Sequence, residues 1–317
     1  MRFKSDRNHG YGKQIKFAGK NAVREAYACG HFETVATHVY HWNKFCTYLG
    51  GVGIKDTRLI TAALVIEYAQ ELRVQVLTGL IKPSYAVNLL SSVNTVIQIM
   101  RGNRAAWVAP SSIASISGIR TTPPSYENLE DLDIVVDRLI KIGRHDLAAM
   151  VKNAYSLGPR FREAVLTDAK LAAKDAERNG NITFERGTKG GQARQVPVIS
   201  AQEMESIRFA KSIQKGNSFI SHDETFIQFK RKAYRDLRLA GIKGKDSFKE
   251  LRTRYACNKY TEFSGHLAPI EGGNASPEED LEARLKVSKL LGHHRPGIVA
   301  SYCGGSTRTK QRLAKKK

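Results

Sequence analysis

Apolar side chains recur at steps of three and four along much of the first hundred residues. From His31 to Leu49 they are Phe32, Val35, Val39, Trp42, Cys46 and Leu49, one face of an amphipathic helix. A second helix is expected over 61–77. A third follows from Ser84, read as an N-cap behind Pro83, through Leu89, Leu90, Val93, Ile97 and Met100. Over 104–124 the pattern dissolves into Ser, Gly, Thr and a Pro pair, which predicts a linker. Helical spacing resumes over 129–142, 146–157 and 162–174. The runs Ile182-Thr183-Phe184-Glu185-Arg186 and Arg194-Gln195-Val196-Pro197-Val198 flank a Gly-rich turn and predict a β-hairpin. Helices are expected again over 202–213, 224–239 and 248–260. The last has Ser276 as N-cap, Pro277 in first position and Glu278, Glu279 and Asp280 in its first turn, and stops at Gly292. The expected fold class is mainly α: a helical domain over 1–103, a linker over 104–124, and a mixed α+β domain with a small β-hairpin over 125–317.

Composition adds a partner to this outline. The 317 residues hold 51 Lys and Arg against 30 Asp and Glu, a formal charge of +21, on a chain that is 41% hydrophobic. Two domains of this size bury cores without disulfide or metal staples. So large an excess on a folded body suits a polyanion, because basic side chains that neutralise phosphates release condensed counterions. Double-stranded DNA is the expected partner. The charge clusters: residues 230–254 hold ten basic side chains, Lys230, Lys232, Arg235, Lys243 and Lys245 among them, against three acids. These five are the candidate backbone contacts; the Lys-rich end reads as a basic tail.

Other classes are set aside. No run approaches the roughly 20 apolar residues of a membrane span, and the N-terminus lacks the apolar core of a secretory signal. A cytoplasmic, nucleoid-associated protein is expected. Cys29, Cys46, Cys257 and Cys303 are scattered singly, without zinc-ligand spacing. The turn Gly187-Thr188-Lys189-Gly190-Gly191 lacks the spacing of a nucleotide-phosphate loop. No metal and no cofactor are expected.

Four short segments then fall in a telling order. They are Leu157-Gly158-Pro159-Arg160-Phe161-Arg162-Glu163, Thr188-Lys189 in the hairpin turn, Lys249-Glu250-Leu251-Arg252, and Leu290-Leu291-Gly292-His293 with Tyr302 nine positions beyond His293. In this order they resemble the catalytic domain of the tyrosine recombinases, the phage-integrase family, and particularly integrases of prophages and mobile islands. The resemblance covers about 129–302, and the helical first half looks like the family's core-binding domain.

The resemblance implies conservative site-specific recombination. Tyr302 would attack the scissile phosphate and hold the strand as a 3′-phosphotyrosine, since a phenolate is both nucleophile and adequate leaving group. Arg160 and Arg252 would clamp the nonbridging oxygens, Lys189 would protonate the departing 5′-oxygen, and His293 would donate a hydrogen bond to the phosphate. Glu163 would support the site from behind. Lys249 stands where the family usually has His and is read as electrostatic support. Pro159 replaces the usual Leu and suits a helix start, placing Arg160 in the first turn. The resemblance further implies a homo-tetramer on two DNA sites, a monomer without DNA, and DNA-bending or directionality factors as accessory partners. Two alternatives stay open: DNA relaxation of the type IB topoisomerase kind, and a non-catalytic DNA-binding protein on a decayed recombinase domain.

Overall fold

A computed structural model of the chain describes residues 6–28, 31–110, 131–242, 247–293 and 295–306. The chain forms two compact units, Met1–Gly118 and Ile119–Lys317.

The first unit is built on α1 (Ile15–Ala26), α2 (Phe32–Gly51), α3 (Ala62–Leu77) and α4 (Pro83–Arg101). Helix α1 is absent from the expected set because its buried face is Ala18, Gly19, Ala22 and Val23, too small to stand out as an apolar stripe. Those small residues admit Trp42, whose Nε1 donates to the Ile15 carbonyl at 3.0 Å. A Cβ on Gly19 would lie 2.1 Å from the same nitrogen. The α2 stripe is buried from Trp42 onward, whereas Phe32 is 79% exposed in the first turn. Lys82, not Ser84, is the N-cap of α4, with Pro83 at its first position, where the missing N–H costs nothing.

The start of the expected linker packs on this unit. Ala106 and Val108 join its core, and the Asn94 amide pairs with the Val108 backbone, donating to its carbonyl at 2.6 Å and accepting from its N–H at 3.2 Å. One polar side chain on α4 thus supplies the backbone partners a strand would give. Residues 111–124 lie outside the described residues.

The second unit contains α5 (Leu132–Lys141), α6 (His145–Leu157), α7 (Phe161–Leu166), α8 (Ala169–Asn179), the antiparallel pair β1 (Asn181–Phe184) and β2 (Arg194–Pro197), α9 (Ala201–Ile213), α10 (Phe226–Leu239), α11 (Ser247–Ser264), α12 (Pro277–Leu290) and the short α13 (Ala300–Cys303). Among the described residues these two strands are the only sheet, closed by the pair Phe184 and Arg194. The single helix expected over 162–174 is two. Thr167 leaves helical geometry, and the Asp168 carboxylate accepts from the N–H groups of Lys170 and Leu171 at 3.0 and 3.1 Å, capping a new helix.

Helix α6 runs through the middle of this unit. Leu147, Ala148, Ala149, Met150, Val151, Ala154 and Leu157 are all buried, more than one face of a helix. Its last carbonyls therefore end inside protein, away from water, and need internal donors.

Candidate active site

Gly158 ends α6 in the left-handed region at φ 61°. A Cβ there would meet the Tyr255 ring at 2.2 Å, so only glycine fits between the end of α6 and α11. The Gly158 carbonyl accepts from Arg194 at 3.1 Å and from Arg252. Helix α12 ends in the same way. Arg194 donates to the Leu290 carbonyl and Arg252 to the Leu291 carbonyl, each at 2.6 Å, and Arg160 reaches Leu291 at 3.4 Å. Two buried helix C-termini, each carrying partial negative charge, are thus met by guanidinium forks.

Glu163 completes the arrangement. Its carboxylate is fully buried, accepts from the Arg160 backbone N–H at 2.8 Å, and pairs with the Arg160 and Arg194 guanidiniums, the latter at 2.8 Å. Arg252 lies 3.8 Å away. Burial alone would push the carboxyl up, yet Arg194 and then Arg252 hold it below its ordinary value. Three guanidiniums around one carboxylate leave about two positive charges unneutralised. Arg252, 2% exposed, is lowered to about 10, first by burial and then by Arg194, and stays charged at neutral pH.

Tyr302 reaches this floor from α13, at the end of a turn over Pro296–Val299. Arg252 Nε donates to its hydroxyl oxygen at 3.4 Å, and the guanidinium carbon lies 5.6 Å from the ring centre. The His293 and Tyr302 rings are 6.3 Å apart. Arg160 donates to His293 Nε2 at 3.3 Å; a guanidinium can only donate, so the imidazole proton sits on Nδ1. Burial, then Arg160, Arg252 and Lys189, push His293 down to about 4, so it is neutral at pH 7. The buried Ser288 hydroxyl donates to the His293 carbonyl at 2.8 Å and holds the loop in place.

Arg160, Glu163, Arg252, His293 and Tyr302 therefore converge. Arg160 is the N-cap of α7 rather than a first-turn residue, with extended backbone at ψ 156°. Arg162 faces elsewhere, 5.2 Å from the Phe226 ring. Lys189 is exposed in the hairpin turn, and its charge is felt at His293. Lys249 is exposed one turn before Arg252 on α11, on the side open to solvent. On α10, Lys230, Lys232 and Arg235 are exposed opposite the buried Phe229, Ala233 and Leu237. Lys232 lies 2.7 Å from the Glu224 carboxylate and Arg235 2.9 Å from that of Asp236, so Lys230 is the less neutralised of these three candidates. Lys243 and Lys245 lie outside the described residues.

Arg194 is the residue that motif reading passes over. Strand parity is the available signal: with period two it shares the face of Val196, which is buried, and a charge at a buried position needs a partner.

The integrase family model matches residues 125–258, the stretch that holds Arg160, Glu163, Lys189 and Arg252 and stops short of His293 and Tyr302. Over that stretch the chain matches the integrase family, the family that its four segments resemble. In fold the chain is similar to the XerH site-specific recombinase solved on its palindromic difH substrate, at 18% identity and TM-score 0.59, covering 94% of this chain and 83% of that one. It is also similar to the Tn1549 transposon integrase in complex with circular intermediate DNA, at 8% identity and TM-score 0.56 over 96% and 99% of the two chains. A lambda integrase tetramer bound to a Holliday junction matches at 14% identity and TM-score 0.54 over 90% and 76%. No curated protein sequence matches the chain. Among the described residues, no helix is long and apolar enough to cross a membrane, and no cluster of His, Cys, Asp and Glu is placed to hold a metal ion.

Proposed function

We propose that this protein is a site-specific DNA recombinase, an integrase that cleaves and rejoins duplex DNA through a 3′-phosphotyrosine at Tyr302, integrating or excising a mobile element. The observation that carries the reading is the Tyr302 hydroxyl resting on Arg252, whose other nitrogens are held by the Gly158 and Leu291 carbonyls. A donor fixed in this way stabilises the phenolate as it forms and needs no reorganisation during the reaction.

The step follows from the groups around it. Tyr302 Oη forms a bond to phosphorus and releases its proton to solvent. The bond from phosphorus to the 5′-oxygen breaks, and that oxygen takes a proton from Lys189, which later regains one from water. Arg160 and Arg252 hold the nonbridging oxygens, and His293, neutral, offers Nδ1–H to one of them. Lys249 adds positive charge at the rim. Attack by the free 5′-hydroxyl of a second duplex reverses the step and exchanges strands. By likeness to the DNA-bound tetramer above, the working assembly is four protomers; the family resemblance adds that they act on two DNA sites, with bending or directionality factors setting the outcome.

The test uses a randomised pool of nicked duplexes from which a short downstream fragment bearing the freed 5′-hydroxyl diffuses away after cleavage, trapping the adduct. Wild type yields denaturation-resistant adducts whose DNA maps to Tyr302; Tyr302→Phe yields none. Equal adducts from both proteins, or DNA attached to another residue, would refute the assignment. Supercoil relaxation without exchanged products would favour topoisomerase action instead.

A further inference from the structure

We propose that Arg194 is a positioning residue for the leaving-group step, seating the hairpin turn that carries Lys189 against the Arg160 and Arg252 floor. The inference rests on the reading of Lys189 as general acid. Arg194 is the β2 member of the Phe184 and Arg194 pair that closes the hairpin, so it stands at the base of the turn holding Lys189. Its guanidinium lies 4.3 Å from the Phe184 ring centre, which locks it to both strands.

From that base its side chain, 4% exposed, reaches three other elements. It pairs with Glu163 on α7, donates to the Gly158 carbonyl at the end of α6, and donates to the Leu290 carbonyl at the end of α12. The same Glu163 carboxylate holds Arg160, and the Gly158 carbonyl also holds Arg252. One planar fork thus refers the hairpin to both arginines and to the segment leading into His293. The turn has a second seat on the same floor: at Gly187, φ 79°, a Cβ would fall 2.7 Å from the Arg162 carbonyl, so the backbone lies directly on α7. Gly292, beside His293, leaves room for the Arg194 side chain, whose Cδ a Cβ there would approach to 2.6 Å. A lysine at 194 keeps the charge but has no fork, and one ammonium cannot serve Glu163, Gly158 and Leu290 in this geometry.

If Arg194 acts through Lys189, a leaving group that needs no proton should bypass it. Trapping duplexes recovered by wild type are remade with sulfur in place of the bridging 5′-oxygen at the scissile bond, because a thiolate departs without a general acid. Arg194→Lys should form adduct about 10²-fold more slowly than wild type on the oxygen duplex, as expected when a catalytic group is misplaced by about 1 Å. On the sulfur duplex it should come within about threefold of wild type. Lys189→Ala should show the same recovery, and Arg160→Ala should be slow on both. Where thermal unfolding shows that Arg194→Lys does not fold, Phe184→Leu, which removes only the ring against Arg194, is read by the same criterion. Recovery of Lys189→Ala without recovery of the Arg194 or Phe184 variant overturns the role of Arg194 alone, as does wild-type speed of that variant on oxygen. No recovery of Lys189→Ala overturns the general-acid reading and the inference with it.

Discussion

Replacing Glu163 by Gln removes the only carboxylate among the three guanidiniums while keeping its shape. The wild-type side chain is fully buried, and its partner Arg194 is 4% exposed. Losing one partner of such a pair leaves the other charge uncompensated at about 3–5 kcal/mol. The Gln carbonyl still accepts one hydrogen bond, and Arg160, 23% exposed, is partly screened by water, so the low end, about 3 kcal/mol, is expected. For a unit of roughly 200 residues that is about 6–12 °C in melting temperature. The sign with pH follows from the direction of the shift. Glu163 is held below its ordinary 4.5, so its stabilisation is fully present above that value and is lost as pH falls through the lower folded value. His293, pushed from 6.5 down to about 4, weakens both proteins over that interval as the unfolded chain takes up its proton first, so the difference between them isolates the carboxylate. Calorimetry at steps from pH 7 to 3 should show a constant gap above about pH 5 that closes toward pH 3. A gap under about 2 °C at pH 7, or one that does not change with pH, would sink the account of Glu163 as the counter-charge of the site.

Other variants separate chemistry, binding and fold. Arg252→Lys should slow adduct formation by about 10²–10³-fold, since one ammonium cannot hold both carbonyls and the reacting oxygens, while DNA affinity by gel shift stays near wild type. Lys230→Ala should do the reverse, lowering the slope of log affinity against log salt by about one with little sequence dependence. Gly158→Ala should cost about 1–2 kcal/mol for the left-handed backbone and about 1–3 kcal/mol for overpacking against Tyr255, read by urea unfolding.

The helices were legible where large apolar residues repeat, as in α2 and α4, and α12 was legible from its cap, because Ser276, Pro277 and three acids act locally on the first turn. Helix α1 escaped notice because alanine and glycine bury well without looking apolar, and the break after α7 because Asp168 caps a helix that periodicity alone would run straight through. The site divides along the same line. Arg160, Glu163, Arg252, His293 and Tyr302 could be named from three short strings, since the proposed chemistry demands particular groups at short local spacings.

The sequence by itself determined the helical class, the basic charge and which groups are proposed to react. Only the tertiary structure decided what holds those groups. Two helix ends buried in the same place must find donors for their last carbonyls, and they find them in Arg252 and in Arg194, which lies 36 residues from Gly158 and 96 from Leu290. No local pattern encodes that meeting, because it arises from where whole helices stop in space, and a buried carbonyl left without a donor would cost more than the desolvation of one well-paired arginine.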